Sequence, residues 1–432
     1  MAGIWVPAIS IFCLNVPLTA QLHWHKSGSN PVLVSDQVEG VIAFNDPVLF
    51  YDGFLLHMWI CGGGFVSGSA RPGVRIYYFT GNGINWQGVE TNPVFRENSS
   101  GTWDSGHIET PHIIRVEEEY WLYYMANTDT LPDNAADLKL GLAISDDGVS
   151  WQRSHHNPLF QRGHPGEWDD SWIESPCVVY TDSMFYLWYN GVSADWKIHV
   201  GLATSADGIH WNKYKHNPVF SPHPDQGWDS AAVYAPQVRI LNGRFFMLYT
   251  GFSFNQSGYD FTNAQTGLAL SDDAITWERM GDEPVLSSGE ASWDQNGPFT
   301  QDWLSTGDGL VMMYVSNGKV GMATSSLQLA VKNPGNRDHV FHPRLIHNFP
   351  NPFNALTTIE YYLAFDSDVE FEIFDMLSRS VRKISMSNQC HGYHQLRFDG
   401  KNNSHQALPS GIYLYQMTAG GYVESGKMVL LR

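Results

Sequence analysis

Basic residues are scarce in this chain: 25 Lys and Arg stand against 44 Asp and Glu, a net charge of -19 over 432 residues. A nucleic-acid partner needs clustered cations along a phosphate track, so that class of function is excluded. Cysteine is scarce as well, with four in all. Cys13 lies in the N-terminal apolar stretch, and Cys61, Cys177 and Cys390 are widely spaced, which gives neither a disulfide framework nor a zinc pattern. Buried free thiols are the expectation. Helical periodicity is missing, and beyond the N-terminal stretch no apolar run is long enough to span a bilayer.

What is plentiful is Gly (40), Pro (22), Trp (16) and Tyr (20). Many turns and many flat rings fit an all-β protein, and also fit sugar binding, where aromatic faces stack on pyranose rings. The length allows two or three domains. Ile4 to Pro17 is mostly apolar and Leu18-Thr19-Ala20 suits cleavage, so residues 1–20 read as a signal peptide, although no Lys or Arg precedes the apolar run.

Five tryptophans open five units: Trp24, Trp86, Trp151, Trp211 and Trp277. Six residues after each stands Asn or Glu followed by Pro: Asn30-Pro31, Asn92-Pro93, Asn157-Pro158, Asn217-Pro218 and Glu283-Pro284. Trp-Asp follows at Trp103, Trp168, Trp228 and Trp293. Such spacing marks an internal repeat. Each unit reads as four short strands broken by turn residues, including Ser145-Asp146-Asp147-Gly148 and Ser205-Ala206-Asp207-Gly208. The expected fold is a five-bladed β-propeller over residues 21–330, with Gln21 to Val34 completing the last blade. The variable connections Gly62 to Pro72, Asn127 to Asp137 and Phe252 to Ala264 then share one face with the starts of the innermost strands.

Acids punctuate those strand starts. Asp46, Glu109 and Glu174 fall in three successive units, whereas the fourth has Tyr234 and the fifth Phe299. A purely structural residue would recur in every unit, as Trp-Asp does, so these acids are candidates for chemistry. Glycoside hydrolysis requires one carboxylic acid to protonate the leaving oxygen and one carboxylate to activate water or attack. Crowded acids raise one another's pKa, which keeps one of them protonated near neutral pH. Trp172 alternates with Glu174, and His107 with Glu109, as candidate substrate contacts alongside Asn45 and Tyr234.

Residues 24–330 resemble the five-bladed clan of glycoside hydrolase family 43, with its arabinanase, levansucrase and invertase relatives. The resemblance implies a general base at Asp46-Pro47 and a general acid at Glu174-Ser175-Pro176, with Tyr234-Ala235-Pro236 similar to a Trp-Ala-Pro element that lines the site. The second Asp-Pro of that family has no counterpart. Glu109 substitutes for it, or is itself the acid. The Asn-Pro and Trp-Asp phrasing also looks like family 130, whose members include mannoside phosphorylases. Phosphate would there replace water and would need basic residues, and none cluster at the strand starts. The clan often carries an axial calcium, but no ligand motif assigns one, and no cofactor is expected.

After Leu329 the composition changes. Residues 331–345 read as a linker and 346–432 as a small immunoglobulin-like β-sandwich. Pro350-Asn351-Pro352-Phe353-Asn354, Ser410-Gly411-Ile412-Tyr413 and the terminal Lys427-Met428-Val429-Leu430-Leu431 resemble the C-terminal sorting domain of the type IX secretion system. That likeness implies the outer-membrane secretion machinery as a partner and a secreted or surface location on a Gram-negative bacterium. The expectation is therefore a monomeric secreted glycosidase of inverting mechanism, with Asp46 as base and Glu174 as acid. The alternatives are a non-catalytic glycan-binding propeller or a glycoside phosphorylase.

Overall fold

The structure is a computed structural model that describes residues 22–64, 73–128, 138–192, 196–224, 227–241, 243–255, 258–306, 309–325, 343–363, 367–389 and 392–431. The expected signal peptide, most of the linker, and parts of the variable connections at 65–72, 129–137 and 256–257 lie outside the described residues. The chain falls into two compact units, Met1–Val48, Ile60–Tyr77 and Pro93–Pro334 in one, and Leu49–Trp59, Tyr78–Asn92 and Gly335–Arg432 in the other.

The first part of the chain is a series of antiparallel meanders. Their inner strands are Ala43–Tyr51, Ile108–Val116, Trp172–Thr181, Ala232–Leu241 and Thr300–Thr306. Each pairs with the strand that follows it, and that strand with a third. The third and fourth meanders join edge to edge through one parallel pair, Ile198 with Ala232. In the last meander the outer strand comes from the other end of the sequence: His25–Lys26 pairs with Thr324 and Ala323.

Neighbouring meanders touch one another in a closed cycle, each through the inner strand of at least one partner. A buried hydrogen bond runs from Thr110 to the Cys61 thiol between the first two meanders. His112 Nε2 lies 2.9 Å from the Val178 carbonyl between the second and third. Asn190 Oδ1 accepts from the Ala235 N–H at 2.8 Å between the third and fourth. Arg239 grips Asp302 at 2.6 and 2.8 Å between the fourth and fifth, and the Asp46 N–H donates to Thr300 Oγ1 at 3.0 Å to return to the first. Between neighbouring sheets lie apolar layers, such as Leu187 and Val178 against Tyr123 and Leu142.

The repeated phrases do structural work at short range. Each Trp-Asp aspartate is buried, takes a tyrosine hydroxyl and pairs with one cation. For Asp169 these are Tyr189 at 3.0 Å and Lys213 at 2.7 Å. For Asp104 they are Tyr124 at 3.2 Å and Arg153 at 2.6 Å. Asp229 has Tyr249 and Arg279, and Asp294 has Tyr314 and Lys26. Lys26 thus ties the N-terminal strand into the last meander. Buried carboxylates need this much compensation. The tryptophan of the phrase lies over the same tyrosine, with Trp228 and Tyr249 stacked at 5.7 Å. Gly267 runs beneath that pair, where a Cβ would meet Tyr249 at 2.3 Å. The Asn-Pro asparagine clasps the third strand: Asn157 Oδ1 accepts from the Leu142 N–H at 2.8 Å and Nδ2 donates to its carbonyl at 2.9 Å. In the Ser-x-Asp-Gly turns, Asp207 Oδ1 accepts from the N–H groups of Ile209 and His210, and the tryptophan beyond wedges between sheets, Trp211 against Tyr123 at 5.9 Å.

The tail is a β-sandwich of a three-stranded and a four-stranded sheet, with Phe353, Tyr361, Phe371, Ile373 and Met428 in its core. Its first strand, Arg344–Phe349, starts inside the stretch expected as linker.

Candidate functional site

Four inner strands carry the same local distortion. Asp46 (φ 50°), Thr110 (43°), Ser175 (51°) and Ala235 (47°) all adopt left-handed backbone immediately before a proline. In the second, third and fourth strands this coincides with a bulge, between Glu109 and His112, Glu174 and Cys177, and Tyr234 and Gln237. A non-glycine residue pays roughly 1 kcal/mol for that conformation. A bulge re-aims side chains at a strand end.

This geometry corrects the expected equivalence of the three acids. Asp46 aligns with Thr110, Ser175 and Ala235, the left-handed residue directly before the proline. The counterpart of Glu109, Glu174 and Tyr234 is Asn45. Asp46 therefore projects from a different backbone position than the two glutamates, and the fifth strand has neither proline nor bulge.

Asp46 and Glu174 are brought together. Burial and then the negative charge of Glu174 push the Asp46 carboxyl up to about 7, against a partial counterweight from the Thr110 N–H. Burial also raises the Glu174 carboxyl, opposed by two donors. Trp172 gives its indole N–H to Oε1 at 3.1 Å, and the Tyr234 hydroxyl lies 3.4 Å from Oε2. Glu109 joins the same field: with Glu174 and Asp46 it helps hold the buried Tyr234 hydroxyl protonated, although burial is the largest cause. All three acids keep a partly exposed surface, while Tyr234 is buried. Asn45 Oδ1 accepts from Thr300 Oγ1 at 2.8 Å. His107 stands at the start of its strand, where its N–H donates to Asn127 Oδ1 at 2.9 Å.

Below the acids the axis narrows to a cleft with about 10 Å³ of room, enough for one water at most. It is lined by Asp46, Thr110, Ser175, Gln237, Thr300 and Gln301, among others, with a single carboxylate. Calcium takes six to eight oxygens, so this lining suits water better than the ion. Among the described residues no group of three or more His, Cys, Asp or Glu is placed to hold a metal.

Two features of the mouth escaped sequence reasoning. Trp196, 58% exposed, packs against Trp172 at 5.5 Å. Thr300 links Asn45 to Asp46. Trp196 follows a connection without repeat phrasing, and Thr300 lies on the one inner strand that lacks the X-Pro signal.

Residues 185–325 match the family described as beta-1,4-mannooligosaccharide phosphorylase, glycoside hydrolase family 130. Residues 354–421 match the FlgD Ig-like domain. The first match contains Tyr234 and leaves out Asn45, Asp46, His107, Glu109, Trp172 and Glu174. An uncharacterised protein of Mycobacterium tuberculosis is 28% identical over 162 residues, 36% of this chain and 50% of that protein. A beta-1,2-mannobiose phosphorylase of a Thermoanaerobacter species is 23% identical over 163 residues, 34% of this chain and 52% of that protein. The chain thus spans about half the length of the curated relatives it matches. A solved structure described with family 130 glycoside hydrolases that target β-1,2-mannosidic linkages in Candida mannan aligns with TM-score 0.56 and 20% identity, covering 75% of this chain and 98% of that one. Residues 185–325, from the second strand of the third meander to the end of the fifth, carry the sequence pattern of glycoside hydrolase family 130, the surrounding fold is the propeller-like one of that family's solved structures, and an immunoglobulin-like domain follows.

Proposed function

We propose that this protein cleaves β-mannosides by hydrolysis, with Asp46 as proton donor and Glu174 as the base that activates water. The observation that carries this reading is the unequal setting of the two acids. Asp46 is held near 7 by burial and by its neighbour's charge, while Glu174 receives an indole N–H and a phenol aimed at its anion. A group that retains its proton near neutral pH suits a general acid, and one whose carboxylate oxygens are met by two donors suits a base. These roles are the reverse of those implied by the family 43 resemblance.

In the reaction, the Asp46 proton passes to the glycosidic oxygen as its bond to the anomeric carbon breaks. Water adds to that carbon from the other side and gives its proton to Glu174. Glu109 adds negative charge beside Tyr234 and helps keep that hydroxyl protonated.

Phosphorolysis is the second reading, favoured by the names of the matched family and relative. Against it, the described residues lining the mouth cavities include no Arg or Lys to hold phosphate. Incubation with β-1,2- and β-1,4-mannobiose, with and without inorganic phosphate, decides. Free mannose in both conditions supports hydrolysis, and mannose 1-phosphate formed only with phosphate overturns it. For the tail we propose a role in export rather than chemistry. Its test is fractionation of cells expressing the chain with and without residues 343–432, and unchanged export of the shortened chain refutes it.

A further inference from the structure

Beside the acids, between the first and fifth inner strands, lies a cavity of about 380 Å³. We infer that it is a subsite for one uncharged sugar residue of the substrate, and this rests on the reading of the mouth as a glycan-processing site. Its polar lining is three amides, Asn45, Asn296 and Asn317, its wall includes Phe261 and Phe299, and none of the described lining residues is charged. The amides are set in place: Asn296 Nδ2 donates to Asn317 Oδ1 at 2.7 Å, and Asn317 Nδ2 donates to the Trp293 carbonyl at 3.0 Å. Asn45 Oδ1 is taken by Thr300. What remains to face the cavity is an amide donor on Asn45 and an amide acceptor on Asn296, the pair that a sugar's hydroxyls satisfy.

The rings supply the other half of the recognition. Phe261 is 48% exposed and meets Phe299 edge to face at 5.6 Å. Phe299 in turn lies 5.4 Å from Tyr234, the residue that contacts Glu174. An apolar wall thus runs from the base to the cavity. On the other side, Thr300 Oγ1 joins Asn45 to the Asp46 N–H. The floor is close-packed backbone, since a Cβ on Gly297 would lie 1.9 Å from the Ala264 carbonyl oxygen. With only neutral groups in the cavity and carboxylates beside it, a uronate is repelled and a neutral pyranose is accepted.

The test uses the full chain carrying Asp46→Asn, so that sugars bind without turnover, titrated by calorimetry with methyl β-mannoside, both mannobioses and a digalacturonate. The neutral sugars should bind, and adding Phe261→Ala or Asn296→Ala should weaken them about tenfold, with digalacturonate silent throughout. In the otherwise native enzyme the same two substitutions should raise KM for mannobiose about tenfold and spare kcat. Binding and KM unchanged by both substitutions, or digalacturonate bound as well as the neutral sugars, overturns the subsite. Sugar binding that depends on Phe261 without any turnover by the native chain would instead sink the proposed function and leave the subsite standing.

Discussion

Trp172 and Glu174 stand two residues apart on one strand, and the indole N–H of the first reaches the carboxylate of the second at 3.1 Å. This hydrogen bond favours the anion against the burial that raises its pKa. Trp172→Phe removes the donor and keeps most of the ring. A hydrogen bond to a charged acceptor is worth about 1.5–3 kcal/mol when buried, less at a partly open mouth. The expected result is an acid limb of the kcat profile moved to higher pH, with the rate at its optimum reduced. An unmoved acid limb would separate Trp172 from the ionisation of Glu174.

The Asp46 carboxyl changes stability with pH in a direction that can be worked out. Its pKa rises from 3.8 to about 7 on folding, so between those values the folded protein holds a proton that the unfolded chain has lost. Stability from this group is complete below about pH 3.8 and is lost as pH climbs through about 7. Asp46→Asn carries no such dependence. Its melting temperature should therefore gain on the native protein's between pH 4 and 7 and keep a constant lead above pH 8. Parallel melting curves across that range would show that Asp46 ionises normally.

Lys213 approaches Asp169 at 2.7 Å, with the aspartate almost wholly buried and the lysine partly open. Lys213→Met leaves the aspartate with the Tyr189 hydroxyl alone. Loss of one partner of a buried pair costs about 3–5 kcal/mol, and the exposure of the lysine reduces this to about 2 kcal/mol. Urea unfolding should register that loss while mannobiose turnover at 25 °C stays unchanged. No change in stability would mean that the Trp-Asp phrase is not held by its cation.

The repeat was legible because its phrases act within one meander at fixed offsets. Asn157 reaches back to Leu142, and Tyr189 to Asp169, over the same sequence distance as Asn217 to Leu202 and Tyr249 to Asp229. A device that repeats in space at constant chain separation leaves a period in the sequence. The site leaves none. Asp46 reads as level with Glu109 and Glu174 because all stand at a strand start ahead of a proline, but Asp46 directly precedes its proline and the glutamates stand two residues before theirs, so Asp46 takes the left-handed place of Thr110 and Ser175. Thr300 meets Asn45 across 255 residues of chain, a contact that only ring closure creates. Phe261 sits in a short helical turn, Phe261–Asn263, capped by Asp260, inside one of the connections that vary in sequence between units. In the tail, alternating strands such as Gly411–Ala419 could be read directly. Arg344–Phe349 was missed at its start because it follows a run of turn-forming residues.

The division of labour between Asp46 and Glu174 is tested most directly by changing the leaving group. On a 2,4-dinitrophenyl β-mannoside, departure needs no protonation, whereas on mannobiose it does. Positioned proton transfer contributes about 10²–10⁴-fold. Asp46→Asn should therefore lose about that much kcat on mannobiose and little on the activated substrate, while Glu174→Gln loses rate on both. Equal losses for Asp46→Asn on the two substrates, with Glu174→Gln spared on the activated one, would contradict the assignment and give the proton to Glu174.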